Sequence, residues 1–552
     1  MDNLNRVLEK ICTKHKLVGA NVALYDSERI VYSYNYGYAN KEQQMKSTND
    51  SLYMIGSNTK VLTAVCIMKL MENGDLSLDD DIRKFIPEFE VKSTFSYEKI
   101  TIGNLLMHRS GLLCDLYNMS YDQSGDFREV ISHLKNTYLI ASPGTMFAYS
   151  NVGYTVLGVV IERASGMPYQ QFVQKTIAQP LGIGIHFLQT EEQRERYAKT
   201  ISLCYNRKGE TVTDPLGTIL PAGSNTYMSM ADFVKFGQIF LKKDGTILKK
   251  DTLDLMETLE CPEDIDRELW NAGYGLLHHL NHYGENVGKI IGHGGDTFYH
   301  HSAFEYIPGH NVGIMVFTNN EQGANARGEI VSKVLHTYLE SMGIATATYP
   351  MVFNHVSGNC DECVGKYATP LGIFDIRKGS ESNLTTKLYG LRIALKRCED
   401  GFWQLWPKSI LSHLPLIKQQ ISRMRIKFAW YSGKKVLVLE SRYPDNVNQT
   451  IVGGVLEETS VPESFKKACG SYELVNERLK AVKGSCLLRV EKGILVLKVR
   501  ILGGTMELAL NAVGDNLAFV QGFGRNTGND VILTDCNGAK SLVWCGLHFQ
   551  KK

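Results

Sequence analysis

The sequence has almost no excess of charge of either sign. Its 552 residues include 60 Lys and Arg against 58 Asp and Glu, a net charge of +2. Nucleic acids and anionic membranes attract strongly basic surfaces, so neither is an expected partner. Long apolar runs are also missing, since the longest, Val61 to Met68, is about half a membrane span. The first 17 residues, MDNLNRVLEKICTKHKL, lack the apolar core and cleavage site of a signal peptide.

A regular spacing of cysteines and a complete metal-binding motif are missing as well. The 12 cysteines stand mostly alone in apolar surroundings, as Cys66 and Cys486 do. This usage is typical of a reducing compartment, so we expect a cytoplasmic protein. Cys360-Asp-Glu-Cys363 has the spacing of half a zinc site, but no second Cys/His pair follows at ligand spacing. We therefore expect neither a metal ion nor a cofactor.

The length predicts two or three domains, and the composition is that of an ordinary globular protein. Over residues 1–345, amphipathic helical patterns alternate with short apolar runs typical of strands. Runs at 18–24 and 30–36 precede the helical patterns, and runs at 289–291, 301–307 and 312–318 follow them. This order predicts an α/β fold in which helices sandwich one antiparallel sheet and form a helical lobe.

The character of the sequence changes between residues 345 and 358. Short alternating strands replace the helical patterns, as at 424–430, and turn signals include Asn537-Gly538. Gly365-Lys-Tyr367 and Gly470-Ser-Tyr472 both open a β-rich block, which is a weak internal repeat. We expect two small antiparallel barrels, at 354–458 and 462–552, with a linker near Val461-Pro462. One larger split barrel is the alternative.

The stretch 51–74 is the first candidate for chemistry. Its sequence, SLYMIGSNTKVLTAVCIMKLMENG, predicts a strand end, a turn at Gly56 and a helix that ends at Gly74. Ser57 and Lys60 are three residues apart, so they project side by side where the helix field is positive. A serine becomes a nucleophile when a neighbouring base takes its proton. Alternatively, Ser57 only caps the helix; Ser464-Phe-Lys-Lys467 has the same spacing and no other catalytic signal.

Two further motifs follow in chain order. Tyr149-Ser-Asn151 ends a turn-rich loop before a predicted helix, and His293-Gly294-Gly295-Asp296 lies between two predicted strands. Singly, each is compatible with a core tyrosine or a structural histidine. Together with Ser57-x-x-Lys60, they resemble the serine β-lactamase and penicillin-binding-protein superfamily, in the branch of class C β-lactamases, esterases and D-aminopeptidases. The resemblance covers residues 5–340 and extends to flanking segments at Leu76-x-Leu-Asp-Asp80, His108-x-Ser-Gly-Leu112, Pro143-Gly144 and Pro221-Ala-Gly223.

The resemblance implies a β-lactamase-like fold with Ser57, Lys60 and Tyr149 as catalytic residues. Ser57 would attack a carbonyl and form an acyl-enzyme, while Lys60 and Tyr149 would share its proton and lower each other's pKa. Asn151 would position Lys60 and the substrate amide. The backbone N–H groups of Ser57 and Asp296 would form the oxyanion hole. Tyr149 would then activate the water for deacylation.

The third motif departs from the β-lactamase pattern. In β-lactamases and transpeptidases a lysine holds the substrate carboxylate there, whereas His293 is mostly neutral at pH 7. This disfavours β-lactam hydrolysis and cell-wall carboxypeptidase activity, and it is usual in the esterase and aminopeptidase branch. By resemblance, His293, Gly294 and Gly295 line the substrate site. Asp296 is expected to attract a substrate ammonium group.

The sequence therefore predicts a serine hydrolase that cleaves a small amide or short peptide. Ester or β-lactam hydrolysis is the second possibility, a penicillin-recognising sensor with slow deacylation the third, and a pseudoenzyme that acts through its barrels the fourth. The resemblance further implies lipocalin-like barrels that restrict the active-site mouth or mediate homo-oligomerisation. The alternative is that they only pack and solubilise, since the sequence identifies no loop of 354–552 that reaches Ser57.

Overall fold

The computed structural model describes most of the chain. The described residues are 2–217, 219–259, 272–279, 282–349, 352–369, 372–379, 383–388, 391–407, 421, 423–431, 433–443, 446–479, 482–536 and 539–552. No helix within these ranges combines the length and apolar character needed to cross a membrane. The hairpin turn predicted at Asn537-Gly538 lies outside them.

The N-terminal part of the chain is built on one large antiparallel sheet. Its strands, together with those of two smaller sheets, are β1 (Gly19–Tyr25), β2 (Ile30–Asn40), β3 (Met45–Lys46), β4 (Leu52–Met54), β5 (His186–Phe187), β6 (Cys204–Tyr205), β7 (Thr211–Val212), β8 (Thr226–Ser229), β9 (Leu277–His279), β10 (Ile290–Asp296), β11 (His301–Ile307) and β12 (Val312–Thr318). The large sheet has the order β3-β2-β1-β12-β11-β10-β9. Because β1 pairs with β12, with Ala20 opposite Thr318, the first and last strands of this part meet in the sheet centre.

Helices cover both faces of this sheet. They are α1 (Asp2–Lys14), α2 (Thr59–Asn73), α3 (Ile102–Leu106), α4 (Tyr117–Ser120), α5 (Val130–Leu134), α6 (Asn151–Ser165), α7 (Tyr169–Val173), α8 (Gln179–Leu181), α9 (Glu191–Glu195), α10 (Met230–Lys242), α11 (Lys250–Met256) and α12 (Gly323–Ser341). Apolar residues of α1 and α12 form one buried cluster with β1 and β12. Those of α2, α6 and α10 form a larger cluster with the other face. The predicted α/β sandwich with a helical lobe is confirmed.

The C-terminal region forms two closed barrels of eight antiparallel strands each, so the single split barrel is wrong. The first comprises β13 (Gly365–Thr369), β14 (Gly372–Lys378), β15 (Leu384–Leu388), β16 (Leu391–Arg397), β17 (Trp403–Pro407), β18 (Met424–Tyr431), β19 (Lys434–Tyr443) and β20 (Asn446–Val455). After a short helix, α13 (Glu463–Ala468), the second comprises β21 (Gly470–Leu474), β22 (Gly484–Glu491), β23 (Ile494–Ile501), β24 (Gly504–Ala512), β25 (Leu517–Val520), β26 (Asp530–Cys536), β27 (Ala539–Trp544) and β28 (Leu547–Lys551). The domain limits at 1–345, 354–458 and 462–552 stay predictions.

One predicted strand is too short. The sequence pattern ends it at residue 291 and leaves residues 292–296 between two strands, whereas β10 continues through Asp296. The physical reason is close approach to β11: a Cβ at Gly292 would lie 1.9 Å from the Phe304 carbonyl oxygen. Glycine, usually unfavourable in strands, is here the residue that permits the pairing.

The second barrel packs directly on the helical lobe. Tyr117 of α4 packs into the apolar core of that barrel, where its neighbours in the buried cluster include Trp544 and Leu547. The Tyr117 amide also donates to the Cys545 carbonyl at 2.9 Å. This contact brings the loop between β25 and β26, residues 521–529, next to the lobe.

Candidate active site

The turn before α2 brings Ser57 and Lys60 together. Residues Gly56–Asn58 form one 3₁₀ turn, and α2 starts at Thr59 and ends before Gly74, whose φ of 81° is that of a left-handed cap. Lys60 Nζ donates to Ser57 Oγ at 3.0 Å. The residue that precedes α2 is Asn58, and no side-chain hydrogen bond caps that helix start. Ser57 therefore does not cap the helix, and its hydroxyl is hydrogen-bonded to the Lys60 amine instead.

The Lys60 side chain is fully buried. Its Nζ also donates to the Ala222 carbonyl at 2.5 Å. The segment Leu220–Ala222 is tied to α2 because Thr63 Oγ1 donates to the Pro221 carbonyl at 2.7 Å. Burial disfavours the ammonium form and lowers the pKa of Lys60 to about 7. A large share of the amine is thus neutral near pH 7 and is able to take a proton from Ser57.

Tyr149 is the third residue of this group and lies against both Ser57 and Lys60. Its hydroxyl faces the Ser57 side chain, an interaction that opposes the effect of burial on the phenol, and its ring centroid lies 5.0 Å from Lys60 Nζ. Burial raises the pKa of Tyr149 above its ordinary value. The expectation that Lys60 and Tyr149 lower each other's pKa is therefore wrong for the tyrosine, and for Lys60 the main cause is burial. Tyr149 stays a neutral phenol at neutral pH, suited to relaying a proton rather than starting the reaction as a base.

His108 supports Tyr149 from behind. The two rings stack with centroids 4.4 Å apart, and the Ser150 amide donates to His108 Nδ1 at 3.0 Å. The backbone adds two bonds between the same segments: Ala148 N–H to the His108 carbonyl at 2.8 Å and Gly144 N–H to the Arg109 carbonyl at 2.7 Å. Burial lowers the pKa of His108 well below its ordinary value, so the imidazole is neutral. The sequence marked His108 only as part of a flanking segment, and its supporting role was missed.

The third motif packs against the turn that carries Ser57. A Cβ on Gly56 would lie 2.9 Å from the Asp296 backbone nitrogen, and one on Gly295 would lie 1.9 Å from the Ile55 carbonyl oxygen. Ser302 Oγ on β11 reinforces this junction by donating to the Ile55 carbonyl at 2.7 Å. The backbone nitrogens of Ser57 and Asp296, the expected oxyanion donors, are consequently neighbours.

His293 is buried and uncharged. Its ring centroid lies 6.1 Å from that of Tyr149, and Nδ1 contacts the Gly294 carbonyl oxygen at 2.6 Å. Burial lowers the pKa of His293 to about 3, with the Lys60 charge contributing in the same direction. The imidazole therefore supplies no positive charge for a substrate carboxylate.

Asp296 already has two partners. His301 Nδ1 lies 2.7 Å and Arg327 Nη1 2.8 Å from the same carboxylate oxygen, Oδ1. The Arg327 charge offsets that of Asp296, which weakens the expectation that this carboxylate attracts a substrate ammonium group.

Asn151 is held by a carboxylate that the sequence analysis did not identify. Its Nδ2 donates to Asp115 Oδ1 at 2.6 Å. Asp115 Oδ2 accepts from Arg525 Nε at 2.9 Å and Nη2 at 2.6 Å. Arg525 belongs to the 521–529 loop, so a loop of the second barrel does reach the catalytic region. The hydrogen bonds of Lys60 Nζ go to Ser57 and Ala222, so the expected contact between Asn151 and Lys60 stays a prediction.

A cavity of about 320 Å³ opens beside Tyr149. Its walls come from the helical lobe and from both barrels, and include Cys114, Phe147, Tyr149, Tyr431, Phe523 and Arg525. The Phe147 amide donates to the Tyr431 hydroxyl at 3.3 Å, which fixes the first barrel to the segment that carries Tyr149. Among the described residues, no three His, Cys, Asp or Glu side chains are grouped as metal ligands.

Comparisons with known proteins agree with this architecture. A family model described as Beta-lactamase matches residues 4–336. Protein flp of Staphylococcus aureus (strain N315) is 24% identical over 367 residues, which are 62% of this chain and 70% of flp. Esterase EstB of Burkholderia gladioli is 31% identical over 206 residues, 35% of this chain and 52% of EstB. The structure of the octameric penicillin-binding protein homologue from Pyrococcus abyssi has a TM-score of 0.55 and 23% identity, covering 83% of this chain and 98% of that chain.

Proposed function

The chain belongs to the Beta-lactamase family of serine hydrolases, and from this premise we propose that it cleaves a small amide or short peptide through an acyl-enzyme on Ser57. One observation carries the proposal. The Ser57 hydroxyl accepts a 3.0 Å hydrogen bond from an amine whose pKa burial lowers to about 7. In its neutral form this amine is placed to accept the hydroxyl proton in turn, which activates Ser57 for acyl transfer.

The reaction starts with Ser57 Oγ attacking the substrate carbonyl while Lys60 Nζ accepts the hydroxyl proton. The C–O bond to Ser57 forms, the carbonyl oxygen becomes an oxyanion, and the N–H groups of Ser57 and Asp296 bind it. Collapse of this intermediate breaks the C–N bond, and the proton travels from Lys60 through the Tyr149 hydroxyl to the leaving amine. In deacylation, water attacks the acyl carbonyl and gives its proton up by way of Tyr149. The C–O bond to Ser57 then breaks, and the proton passes to Ser57 Oγ.

Two features support a small recognition element without a carboxylate in the substrate. The cavity that Tyr149 lines, next to but not including Ser57, has a volume of about 320 Å³, at the lower end of the range for ligand pockets. Neutral His293 offers no cation where β-lactamases use lysine. Peptides or amides with a small side chain meet both conditions. Ester hydrolysis is the second candidate, supported by the 31% identity to esterase EstB over 35% of the chain.

Intact-mass spectrometry after reaction with a fluorophosphonate tests the nucleophile. We expect one adduct on the wild type, none on Ser57→Ala, and an undiminished adduct on Ser464→Ala, which removes the serine of the second Ser-x-x-Lys pattern. No adduct on the wild type would refute the proposal and direct attention to the barrels. Penicillin is incubated in parallel, because a persistent penicillin adduct would establish the slow-deacylation sensor instead.

A matched substrate pair then separates amide from ester hydrolysis. Alanine p-nitroanilide and the p-nitrophenyl ester of the same acyl group differ only in the leaving atom. We expect turnover of the anilide that disappears in Ser57→Ala. Turnover of the ester alone would assign the protein to the esterases. Free and acetylated forms of the anilide decide whether a substrate ammonium group matters and whether the aminopeptidase assignment holds.

Compartment and assembly stay predictions. Ten cysteines of the described residues, Cys66 and Cys486 among them, are free thiols, which supports a cytoplasmic location. The Pyrococcus abyssi homologue is octameric, which supports the expectation of a homo-oligomer. Light scattering on the purified protein measures its molar mass and tests this expectation.

A further inference from the structure

We propose that Arg525 of the second barrel is a positioning residue for the catalytic centre: it holds the carboxylate of Asp115, which in turn holds the amide of Asn151 and balances the charge around Lys60. The inference rests on the proposed function, because it concerns how the same hydrolytic site is kept competent. It assigns a role to the barrel loop 521–529 that differs from restricting access.

The geometry forms one continuous chain of hydrogen bonds. Two nitrogens of Arg525, Nε and Nη2, donate to Asp115 Oδ2 at 2.9 and 2.6 Å. The other oxygen, Asp115 Oδ1, accepts from Asn151 Nδ2 at 2.6 Å. An ionised carboxylate only accepts hydrogen bonds, so it must face the NH₂ side of the Asn151 amide. Asp115 thereby fixes the amide orientation, and Arg525 fixes Asp115.

Asp115 needs a counterion because it is almost completely buried, with 1% of its surface exposed. Burial by itself raises the pKa of this carboxyl, but Arg525 and the bond from Asn151 outweigh burial and lower the pKa below its ordinary value. A buried carboxylate deprived of its only cationic neighbour is strongly destabilised. Within the described part of the chain, the guanidinium of Arg525 is the cation that contacts it.

The same pair acts on Lys60 with opposite signs. Asp115 raises the pKa of Lys60 and Arg525 lowers it, against the larger effect of burial. The other ionisable groups around Lys60 are uncharged at neutral pH: burial lowers the pKa of His108 and His293 and raises that of Cys114, Tyr149 and Tyr154. Asp115 and Arg525 are therefore the two charges that adjust the pKa of Lys60 around the value that burial gives it.

The test measures the rate of Ser57 modification by a fluorophosphonate against pH, by intact-mass spectrometry of the full chain. In the wild type the rate should rise with a midpoint near the Lys60 pKa. Arg525→Met removes a pKa-lowering charge while the bond from Asn151 still favours the ionised form of Asp115, so we expect the midpoint to move up by about one pH unit. Asp115→Asn removes a pKa-raising charge, so the midpoint should move down by about the same amount. The double variant should return toward the wild-type midpoint.

Arg478→Met is the matched control. Arg478 is also an arginine of the second barrel that pairs with the helical lobe, through Asp122 and Glu129. Arg478→Met weakens the contact between the second barrel and the lobe but leaves Asp115 and its partners in place. The pH midpoint of Ser57 modification should therefore stay unchanged. Arg525→Lys keeps the charge and should keep the midpoint near that of the wild type, with a slower rate because the forked contact is lost.

The outcomes separate this inference from the proposed function. If wild-type Ser57 is modified but Arg525→Met and Asp115→Asn share the wild-type midpoint, the positioning role is refuted and the hydrolase proposal stands. A shift of both variants in one direction, or an equal shift in Arg478→Met, would show a structural role only. Failure of the wild type to react refutes the proposed function itself. If Arg525→Met does not fold, Asp115→Asn still decides through the direction of its shift.

Discussion

The Tyr149 ring stacks on the His108 imidazole, with centroids 4.4 Å apart and 29° between the ring planes. His108→Asn removes the ring but retains an acceptor for the Ser150 amide, and asparagine tolerates the φ of 55° found at this position. We expect fluorophosphonate modification of Ser57 to slow by about 10- to 100-fold, because Tyr149 loses its support. The pH midpoint should stay near 7, since the charges near Lys60 are unchanged. A midpoint shift would mean that His108 acts through charge instead.

Lys60 is predicted to destabilise the folded protein at neutral pH. Its pKa is about 7 in the folded state, against an ordinary value of 10.5. Between these values the unfolded chain binds more protons, so stability rises with pH across the window and the burial penalty is fully present below about pH 7. Lys60→Met should therefore abolish activity yet stabilise the fold by roughly 1–3 kcal/mol at pH 7.

Urea denaturation of Lys60→Met at pH 6, 7 and 9.5 checks this prediction, with the exposed Lys235→Met on α10 as control. The gain over the wild type should shrink as pH rises toward 10.5, because the wild-type penalty fades there. A gain that is independent of pH would contradict the assignment of a buried, neutral Lys60.

Adjacent glycines of the third motif should respond differently to alanine. A Cβ at Gly295 would lie 1.9 Å from the Ile55 carbonyl oxygen, a backbone atom with little freedom to move. At Gly294 the nearest atoms belong to the Arg327 guanidinium, at 3.8 Å. We expect Gly295→Ala to lose more than about 100-fold in Ser57 modification, because β10 is pushed from the oxyanion site. Gly294→Ala should retain wild-type melting and a comparable rate; equal losses in both would refute the close packing.

Phe523 is predicted to limit substrate size. Its ring meets the Tyr431 ring edge-on, with centroids 5.0 Å apart, and lines the cavity beside Tyr149. Phe523→Ala should raise kcat/KM for p-nitrophenyl octanoate relative to the acetate by about 10-fold. Phe519→Ala is the control, because that ring makes a similar contact with Tyr138 but does not line the cavity. If Phe523→Ala leaves the octanoate-to-acetate ratio of kcat/KM unchanged, the barrels do not limit the size of the substrate.

The sequence predicts interactions that local spacing controls. Ser57 and Lys60 meet because residues three apart share a helix face, and α2 ends at Gly74 as expected. The two barrels follow from alternating strands and a repeat. The predicted strand ends too early, at residue 291, because a glycine at position 292 does not suggest a strand. The close approach of Gly292 to Phe304 involves the partner strand, and the sequence around Gly292 does not show it.

The supporting residues of the site are largely invisible in the sequence. Asp115 follows the flanking segment that begins at His108, but an isolated aspartate carries no pattern. Arg525 lies 410 residues further along the chain, in a barrel loop whose contact with the lobe depends on docking of one folded unit on another. Burial lowers the pKa of Lys60 and raises that of Tyr149, and burial depends on tertiary packing that spacing does not reveal.

The ion pair between Asp115 and Arg525 also has a consequence for synthesis. Translation proceeds from the N-terminus, so Ser57, Lys60 and Asp115 are synthesised early. Arg525 is synthesised only after the first barrel and most of the second. Until that loop docks, Asp115 lacks its counterion, and a lone buried carboxylate opposes closure of the surrounding segment. We therefore expect the nascent helical lobe to acquire its final stability as one of the last events in the maturation of the chain.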